Sequence, residues 1–374
     1  MMGLRVLLTG GGTGGHIFPA MAIAEALLQQ AGVSEIAFVG RAEGFEARVV
    51  GTRGWPFFAI PAAPLKRIGW RRQLQGMGTL LRAAMASWRL LRRWRPTIVV
   101  GTGGYVSGPL LIMARLLRIP TVIHEQNSIP GLTNRWLGRS VRRVCITFAE
   151  SMRYFPRRKV VDTGLPIRAA LVHAAAERNT LPDPPTLLVI GGSQGAQRMN
   201  ALMLEMLPHL RATLPRCRVI HQTGATADRQ AVAEAYRRAH FDATVVPFID
   251  EMEKVYPHAS LAISRAGAGS LAELALFGVP AILVPYPYAA DNHQEQNARE
   301  VVACGGALLL REQDATPERL GELCNGLLRE PHRLQQMREA MRRQARPDAA
   351  TRVATICIDM GQPHGASHTK GCAA

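Results

Sequence analysis

The sequence lacks the residue patterns that usually hold metal ions or form disulfide bonds. Its six cysteines are scattered and no two form a C-x-x-C pair, so we expect reduced thiols and neither a disulfide framework nor a zinc site. The chain also contains no D-x-D and no H-E-x-x-H motif. We therefore expect no metal ion at a site that binds phosphate groups.

Long hydrophobic runs are also missing. No stretch reaches the roughly 18–20 consecutive apolar residues that span a bilayer. The strand-like run Arg5–Thr9 begins too soon after Met1 for a signal peptide to precede it. We expect a folded protein that neither spans a membrane nor is secreted by that route.

Acidic residues are absent from one long stretch. Between Ala47 and His124 there is no Asp or Glu, although Arg and Lys recur there, and the whole chain has a formal net charge of +17. A surface field of one sign attracts polyanions, either nucleic acid or an anionic membrane leaflet. A solubilising face without a partner is the alternative interpretation.

What the sequence does contain is an alternation of short apolar runs and helical patterns. Leu4–Gly15 and Thr186–Ala196 each read as an apolar strand, a glycine-rich turn and a helix start, so the pattern begins twice. It predicts an α/β protein with two similar, doubly wound parallel sheets. The expected strands are Arg5–Thr9, Glu35–Val39, Pro56–Ile60, Thr97–Val100, Pro120–His124, Arg143–Thr147, Lys159–Thr163, Thr186–Ile190, Arg218–Gln222, Thr244–Phe248, Leu261–Ser264, Ala281–Val284 and Ala307–Leu310.

Four glycine-rich loops connect predicted strands to predicted helices, two in each half. They are Gly10–His16, Gly101–Tyr105, Gly191–Ala196 and Ala266–Ser270. Such a unit points backbone N–H groups and a helix N-terminus towards a ligand, which favours phosphate. Two loops per half predict a cleft between two domains that binds a phosphorylated ligand.

The first loop matches the dinucleotide fingerprint at Gly10, Gly12 and Gly15 and ends in His16. A nicotinamide-dependent oxidoreductase is the nearest alternative enzyme, but Val39-Gly40-Arg41 lacks the acid that such enzymes use to bind ribose. His16 is suited to take a proton from a substrate hydroxyl near neutral pH. The other interpretation is an imidazole that only caps the loop.

Polar residues follow several of the other predicted strands. We expect His124–Asn127 either in the cleft or as a cap for the next helix, and Ser193 either on a phosphate oxygen or as a cap. Glu273, one turn into a helix, would repel phosphate, so its expected partner is a sugar diol. The run Asp291–Asn297 carries the amides and carboxylates that sugar hydroxyls need.

A helix predicted over Leu74–Trp94 lies within the acid-free stretch. Its apolar stripe predicts a core-facing side, with Arg82, Arg89, Arg92 and Arg93 off the stripe. The preceding segment Leu65–Arg72 mixes apolar residues with cations. We interpret it as a membrane-interface loop, with a plain surface loop as the alternative. The stripe consists of Leu74, Met77, Leu81, Ala84, Trp88 and Leu91.

Together these motifs resemble the MurG family of peptidoglycan N-acetylglucosaminyltransferases. They occur in the family's order along nearly the whole chain. One position departs from the family, because Leu165 stands where an Asn is usual within Gly164–Arg168. The matching motifs are Gly11–His16, Gly103–Pro109, His124–Asn127, Gly131–Asn134, Gly191–Ala196 and Gly267–Glu273.

The resemblance implies a GT-B glycosyltransferase fold of two Rossmann-like domains. Residues 1–166, with a C-terminal helix at about 347–360, would form the acceptor- and membrane-binding domain. Residues 167–346 would bind the UDP-sugar, and residues 361–374 would form a disordered tail. The implied reaction is an inverting transfer of N-acetylglucosamine from UDP-N-acetylglucosamine to the muramyl C4 hydroxyl of lipid I, which makes lipid II.

The resemblance also implies a location and a set of site residues. It implies no cofactor and no nucleic acid partner. It places the protein peripherally on the cytoplasmic face of the inner membrane, with that anionic surface and other cell-wall and division proteins as partners. The implied catalytic residues are His16 and Glu273. The implied UDP-N-acetylglucosamine contacts are Thr13, Gly14, Gly15, Asn127, Arg168, Ser193, Ile249, Ala268, Gly269, Ser270, Leu271, Ala272, Glu273 and Gln294. The implied membrane and acceptor residues are Lys66, Arg67, Ile68, Trp70, Arg71, Arg72 and Tyr105.

Overall fold

The computed structural model describes residues 3–61, 70–177, 182–192 and 196–362, with only the backbone described for residues 70–77. The predictions for Lys66, Arg67, Ile68 and Ser193, and for the tail beyond Gln362, lie outside these ranges. Within them the chain forms the two parallel α/β sheets that the alternation of strands and helices predicts, so the predicted fold class is confirmed.

The first sheet contains seven strands among the described residues, in the order β3-β2-β1-β4-β5-β6-β7. All pairings in it are parallel. Such strands are covered on both faces, which is why they consist almost entirely of apolar residues. Their bounds are β1 Leu4–Thr9, β2 Val33–Gly40, β3 Phe57–Ala59, β4 Ile98–Gly101, β5 Thr121–Glu125, β6 Arg143–Ile146 and β7 Val160–Asp162.

The second sheet has six strands in the described ranges, in the order β10-β9-β8-β11-β12-β13, again all parallel. Every predicted strand in both halves is present, within two residues at either end. The bounds are β8 Thr186–Ile190, β9 Arg218–Gln222, β10 Ala243–Val246, β11 Leu261–Ser264, β12 Ala281–Leu283 and β13 Ala307–Leu309.

Helices cover both faces of each sheet. Short 3₁₀ helices lie at Ala149–Tyr154, Arg157–Lys159, Tyr256–His258, Ala290–Asn292 and Glu312–Asp314. The α-helices are α1 Gly14–Leu28, α2 Phe45–Gly51, α3 Trp70–Trp94, α4 Ser107–Leu116, α5 Leu132–Gly138, α6 Ala169–Ala176, α7 Gln197–Thr213, α8 Arg229–Arg238, α9 Met252–Val255, α10 Ala268–Phe277, α11 His293–Ala303, α12 Pro317–Leu328, α13 Pro331–Gln344 and α14 Ala349–Gly361.

The last helix packs against the first sheet rather than the second. Val353 and Cys357 of α14 are fully buried in one core cluster with Leu4 and Ile17. The two segments that join the halves meet at Gly164, whose φ is +77°. A Cβ atom at Gly164 would lie 2.5 Å from Cβ of Arg346, so the close approach requires glycine. The domain boundary expected at residues 166/167 stays a prediction.

Three helix details differ from the sequence predictions. Helix α1 begins at Gly14, so Gly14, Gly15 and His16, predicted as the end of the glycine-rich loop, form its first turn, and Pro19 lies inside the helix. Helix α3 begins at Trp70, so the expected loop position of Trp70, Arg71 and Arg72 is wrong and their backbone is helical. The third difference, the exposed stripe of α3, is described with the site.

Candidate active site

The four glycine loops flank the two points where the strand order reverses. The first sheet reverses between β1 and β4, and the second between β8 and β11. Each of these four strands is followed by one of the predicted loops. Ligands of doubly wound sheets bind in the crevice at such a reversal, beyond the carboxyl ends of the strands. The fold therefore places the described residues of all four loops where a ligand would bind.

The two loops of the first domain interlock through glycine. Gly104 has a φ of +89°, and a Cβ atom there would lie 2.4 Å from the carbonyl oxygen of Gly11. A Cβ atom at Gly103 would lie 2.9 Å from the ring of His16. Both glycines therefore permit the close backbone approach that holds His16 beside the β4 loop.

His16 is held in one tautomer by a backbone carbonyl. Its Nδ1 lies 3.0 Å from the carbonyl oxygen of Thr102, which can only accept, so Nδ1 carries the hydrogen and Nε2 the lone pair. Burial lowers the pKa of His16, the hydrogen bonds with the Gln126 side chain and the Thr102 carbonyl partly offset this, and the charge of His293 lowers it further. The imidazole is thus neutral at neutral pH and has a basic Nε2.

Glu46 is a site-bracing residue that the sequence analysis missed. Its carboxylate is fully buried and accepts hydrogen bonds from the backbone N–H groups of Gly12, at 3.1 Å, and Arg41, at 3.0 Å. The Gly12 N–H is therefore not directed at a ligand. Glu46 belongs to no recognisable sequence motif, so nothing in the sequence singles it out. Its role follows only from the packing of α2 against the first glycine loop.

The cluster His124–Asn127 is mostly buried, so of the two alternatives expected for it, the cleft position is wrong for the first three residues. His124 is fully buried, and its Nε2 donates to the Gly164 carbonyl at 2.9 Å. Gln126 donates to the Thr102 carbonyl at 2.8 Å. Burial lowers the pKa of His124 to about 4. These residues brace the loops, and Asn127 alone of the four is half-exposed.

Glu125 is the acidic residue of this cluster, and the pKa of its carboxyl group is raised. One carboxylate oxygen accepts from the Asn127 backbone N–H and the other from Asn134 Nδ2, both at 2.9 Å. Burial nevertheless dominates and raises its pKa to about 7. The carboxyl therefore titrates near neutral pH while it supports Asn127.

In the second domain, the N-terminus of α10 is open towards the cleft. Gly267 precedes it without a side-chain cap, and no acid lies in its first turn. Added Cβ atoms at Gly267 and Gly269 would meet no atom within 4 Å. Unpaired N–H groups with open space in front of them form a favourable anion site. The other predicted contacts on this helix are Ala268, Ser270, Leu271 and Ala272.

Glu273 lies on α10 beyond this anion site and is already partnered. The hydroxyl of Tyr256 donates to Glu273 Oε2 at 2.9 Å. Burial raises the pKa of Glu273, and the Tyr256 hydrogen bond and the charge of Arg168 partly oppose the rise. Arg168 itself lies 5.0 Å from the ring centroid of Phe18 in the first domain. The three predicted elements Arg168, Glu273 and the α10 N-terminus therefore converge.

The remaining predicted contacts lie on the rims of the two sheets. Ile249 is half-buried after β10, and Tyr105 is exposed after β4. Gln294 Oε1 accepts a hydrogen bond from the Tyr286 backbone N–H at 3.0 Å. Leu165, only 4% exposed, lines a cavity of about 200 Å³ together with Ala272 and other residues of both domains. An apolar residue is therefore compatible with this position.

Asn297 is, after Glu46, the second candidate functional residue that the sequence did not mark individually, although it ends the polar run Asp291–Asn297. It is fully buried on α11 and bonds the first domain through Ser128 and Asn127. Arg135 of α5 adds an ion pair with Asp291 across the cleft at 3.1 Å. The polar run that was expected to solvate sugar hydroxyls thus also ties the two domains.

Part of the apolar stripe of helix α3 is exposed to solvent, although the prediction placed the stripe in the core. Leu81 and Trp88, expected in the core, are 64% and 43% exposed, whereas Leu91 of the same predicted stripe is buried as expected. The other fully or largely buried side chains described on this helix are Ala83, Ser87 and Trp94. Leu74 and Met77 have no described side chains. The exposed stripe continues through Met85 and onto neighbouring α4 with Ile112 and Leu116. We call Leu81, Met85, Trp88, Ile112 and Leu116 the apolar stripe.

Cations surround the apolar stripe. The guanidinium of Arg92 lies 5.4 Å from the ring centroid of Trp88. Arg82, Arg89 and Arg93 are exposed on the same helix, and Arg115 and Arg118 are exposed at the end of α4. Among the helices described, none is both long and apolar enough to cross a membrane. In the same ranges no three His, Cys, Asp or Glu side chains form a group that could hold a metal ion.

Two parallel-sheet domains with glycine loops at both strand reversals form the GT-B fold, and the family matches identify the chain as a glycosyltransferase of this fold. Residues 6–146 match the glycosyltransferase family 28 N-terminal domain, and residues 186–353 match the family 28 C-terminal domain. The chain is 32% identical to the Acinetobacter baumannii MurG crystal structure, with a TM-score of 0.77, and the match covers 95% of this chain and 99% of that one.

Curated relatives agree with this assignment over their full length. The UDP-N-acetylglucosamine–N-acetylmuramyl-(pentapeptide) pyrophosphoryl-undecaprenol N-acetylglucosamine transferase of Anaeromyxobacter dehalogenans strain 2CP-1 is 43% identical, covering 98% of this chain and 97% of the relative. The transferase of the same name from Syntrophotalea carbinolica is 45% identical, covering 95% and 98%. The chain belongs to the MurG family of hexosyltransferases within glycosyltransferase family 28.

Proposed function

We infer that this chain transfers N-acetylglucosamine from UDP-N-acetylglucosamine to the muramyl C4 hydroxyl of lipid I, undecaprenyl-pyrophosphoryl-N-acetylmuramyl-pentapeptide. The product is lipid II, a precursor of peptidoglycan. The observation that carries this inference is the near-complete match to transferases of this name at 43–45% identity. The four loops at the two strand reversals supply the matching cleft.

We propose that the second domain binds the donor. The open N-terminus of α10 is positioned to bind the diphosphate, and it and Arg168 would stabilise the charge of departing UDP. Glu273, held by Tyr256, is suited to a sugar or ribose diol. Thr13, Gly14 and Gly15 at the start of α1, Asn127, Ser193, Ile249 and Gln294 complete the proposed donor contacts, with Ala268 to Ala272 on α10.

We propose that His16 is the general base. The hydrogen bond from Nδ1 to Thr102 leaves the Nε2 lone pair for the proton of the attacking hydroxyl. The lowered pKa keeps the imidazole unprotonated at neutral pH. Attack from the face opposite UDP would invert the anomeric configuration. Tyr105, exposed on the adjacent loop, is placed to contact the acceptor.

We further propose that the apolar stripe binds an anionic membrane surface, peripherally and on the cytoplasmic side. Leu81, Met85 and Trp88 lie at helical spacing on the solvent side of α3, and arginines flank them. Apolar side chains inserted at the headgroup level, with cations beside them, are how a peripheral helix binds anionic lipid. The sequence-based membrane prediction also includes Lys66, Arg67, Ile68, Trp70, Arg71 and Arg72, and cell-wall and division proteins are proposed as further partners.

The catalytic proposal is tested by UDP release from UDP-N-acetylglucosamine with a lipid I analogue. The native chain should turn over, and His16→Ala should be slower by about 10²-fold or more. His16→Asn is the matched control for position, because its amide can still donate to Thr102 but cannot accept the proton. A His16→Asn enzyme of near-native kcat would refute the role of base, and a native chain without turnover would refute the reaction.

The membrane proposal is tested by co-sedimentation with phosphatidylglycerol vesicles. Trp88→Ser and Leu81→Ser should each weaken binding several-fold, because each removes about 1.5–3 kcal/mol of apolar burial at most. Leu28→Ser is the control, since Leu28 is 50% exposed on α1, which packs on the other face of the first sheet. Equal loss in all three variants, or equal binding to neutral vesicles, contradicts the proposal.

A further inference from the structure

Asn297 makes two hydrogen bonds to the first domain and one within its own domain. Its Oδ1 accepts from the Ser128 backbone N–H at 2.8 Å. Its Nδ2 donates to Asn127 Oδ1 at 3.1 Å and to the Ala266 carbonyl at 3.3 Å. The side chain is fully buried, and Ser128 is also buried. One amide therefore joins the β5 loop of the first domain to the β11 loop of the second.

Two backbone groups fix which way this amide points. The Ser128 N–H can only donate, so the Asn297 atom beside it must be oxygen. The Ala266 carbonyl can only accept, so the other Asn297 atom must be nitrogen. The usual ambiguity between the oxygen and nitrogen of an Asn amide is thereby removed. Nδ2 of Asn297 must face Asn127.

The orientation of the Asn297 amide also fixes the orientation of the Asn127 amide. Because Asn297 offers a donor, the Asn127 atom that meets it must be Oδ1. The Asn127 Nδ2 group is then left on the other side, where its bond to Glu125 Oε1 is long at 3.4 Å. Asn127 is half-exposed, and its Nδ2 group is the end of the amide that Asn297 does not bond.

We propose that Asn297 is a positioning residue that makes Asn127 a hydrogen-bond donor, and not an acceptor, towards the substrate. This rests on the proposed function, in which Asn127 contacts UDP-N-acetylglucosamine. The group it recognises is an oxygen acceptor of the donor substrate, such as a sugar hydroxyl or carbonyl oxygen. The arrangement also makes the contact depend on the two domains being together, since Asn297 and Asn127 come from different domains.

The test measures UDP-N-acetylglucosamine affinity and kinetics for four variants. Asn127→Asp keeps an acceptor towards Asn297 but replaces the donor in the cleft. Asn297→Asp keeps the acceptor for Ser128 but loses the donor towards Asn127. Each should raise the donor Kd and KM about tenfold with a smaller change in kcat, the size of one lost hydrogen bond. Asn127→Ala and Asn297→Ala complete the set.

The double variant Asn127→Ala with Asn297→Ala distinguishes positioning from general support of the fold. If Asn297 acts through Asn127, the double variant should bind the donor no more weakly than Asn127→Ala, within about twofold. The proposal would be overturned if the fold-change in donor Kd of the double variant equalled the product of the two single-variant fold-changes. A native donor affinity in Asn297→Asp would also overturn it. Asn127→Asp leaves the buried residue intact, so it remains informative even where Asn297 variants unfold.

Asn200→Ala is the matched control for burial. Asn200 is a buried amide of the second domain that bonds the Thr223 carbonyl at 2.9 Å and His221 Nε2 at 3.0 Å, all within that domain. Asn200→Ala should lower the melting temperature as Asn297→Ala does. When it is combined with Asn127→Ala, the fold-changes in donor affinity of the two variants should multiply. A native chain that binds no UDP-N-acetylglucosamine would refute the proposed function, whereas binding with multiplying variants would refute this inference alone.

Discussion

Replacing the buried acid of the β5 loop, Glu125→Gln, should stabilise the protein in a way that depends on pH. The folded carboxyl has a pKa of about 7 against an ordinary value of 4.5. A raised pKa means that its stabilising contribution is complete below pH 4.5 and is lost as the pH rises through 7. Gln does not titrate, so the variant escapes this loss.

The geometry favours Gln at this position. Its amide oxygen would accept from the Asn127 N–H, as Glu125 does now. Its amide nitrogen would donate to Asn134 Oδ1, an atom that is buried without a partner in the native chain, once the Asn134 amide turns over. The weak bond from Asn134 to the His124 carbonyl, 3.3 Å long, is the cost of that rotation.

The expected size follows from the shift of the pKa. At about 1.36 kcal/mol for each unit, the difference in unfolding free energy between variant and native should grow by about 2.5 kcal/mol from about pH 5 to about pH 8. Urea denaturation at both pH values measures it, with the domain transitions fitted separately if they do not coincide. Glu43→Gln, at an exposed position of the same domain, is the control and should show no growth. A constant Glu125→Gln effect at both pH values would show that Glu125 is not a costly buried charge.

Three further outcomes follow from the site geometry. Gly104→Ala should destabilise the first domain by about 1–3 kcal/mol, because the added Cβ would lie 2.4 Å from the Gly11 carbonyl at a φ of +89°; an unchanged melting temperature would contradict this. Gly267→Ala, where the Cβ meets no protein atom within 4 Å, should melt as the native chain does but bind UDP about tenfold more weakly in calorimetry; native affinity would mean that the α10 N-terminus does not meet the nucleotide. Tyr256→Phe removes the O–H that lowers the pKa of Glu273, so the acid limb of the pH profile of kcat/KM should move to higher pH; an unmoved limb would separate Glu273 from catalysis.

The strands and the loops could be read from the sequence because their causes are local. Parallel strands covered on both faces must be apolar throughout, so runs such as Thr186–Ile190 and Leu261–Ser264 stand out against the polar connections, and both are found at the predicted bounds. Glycines such as Gly104, whose φ is positive, mark turns in the same way.

The sequence predictions were wrong where the answer depended on contacts between two different elements. The periodicity of α3 shows an apolar stripe but not which side meets the sheet. In the structure, the small residues Ala83 and Ser87 are fully buried on the packed side of α3, whereas Trp88 is 43% exposed. For His124 and Gln126 the polar run left a cleft position and a capping role open, and in the structure they bond the backbone carbonyls of Gly164 and Thr102 inside the fold.

The sequence by itself therefore determined the α/β architecture, the position of each glycine loop and the family, since apolar periodicity, glycine and motif order are properties of neighbouring residues. Only the tertiary structure decided which polar groups are available for chemistry. Glu46 takes the Gly12 N–H, Thr102 sets the tautomer of His16, and Asn297 sets the orientation of Asn127 from another domain. Hydrogen bonds between distant segments depend on how the sheets and domains are placed, and no local pattern encodes that placement.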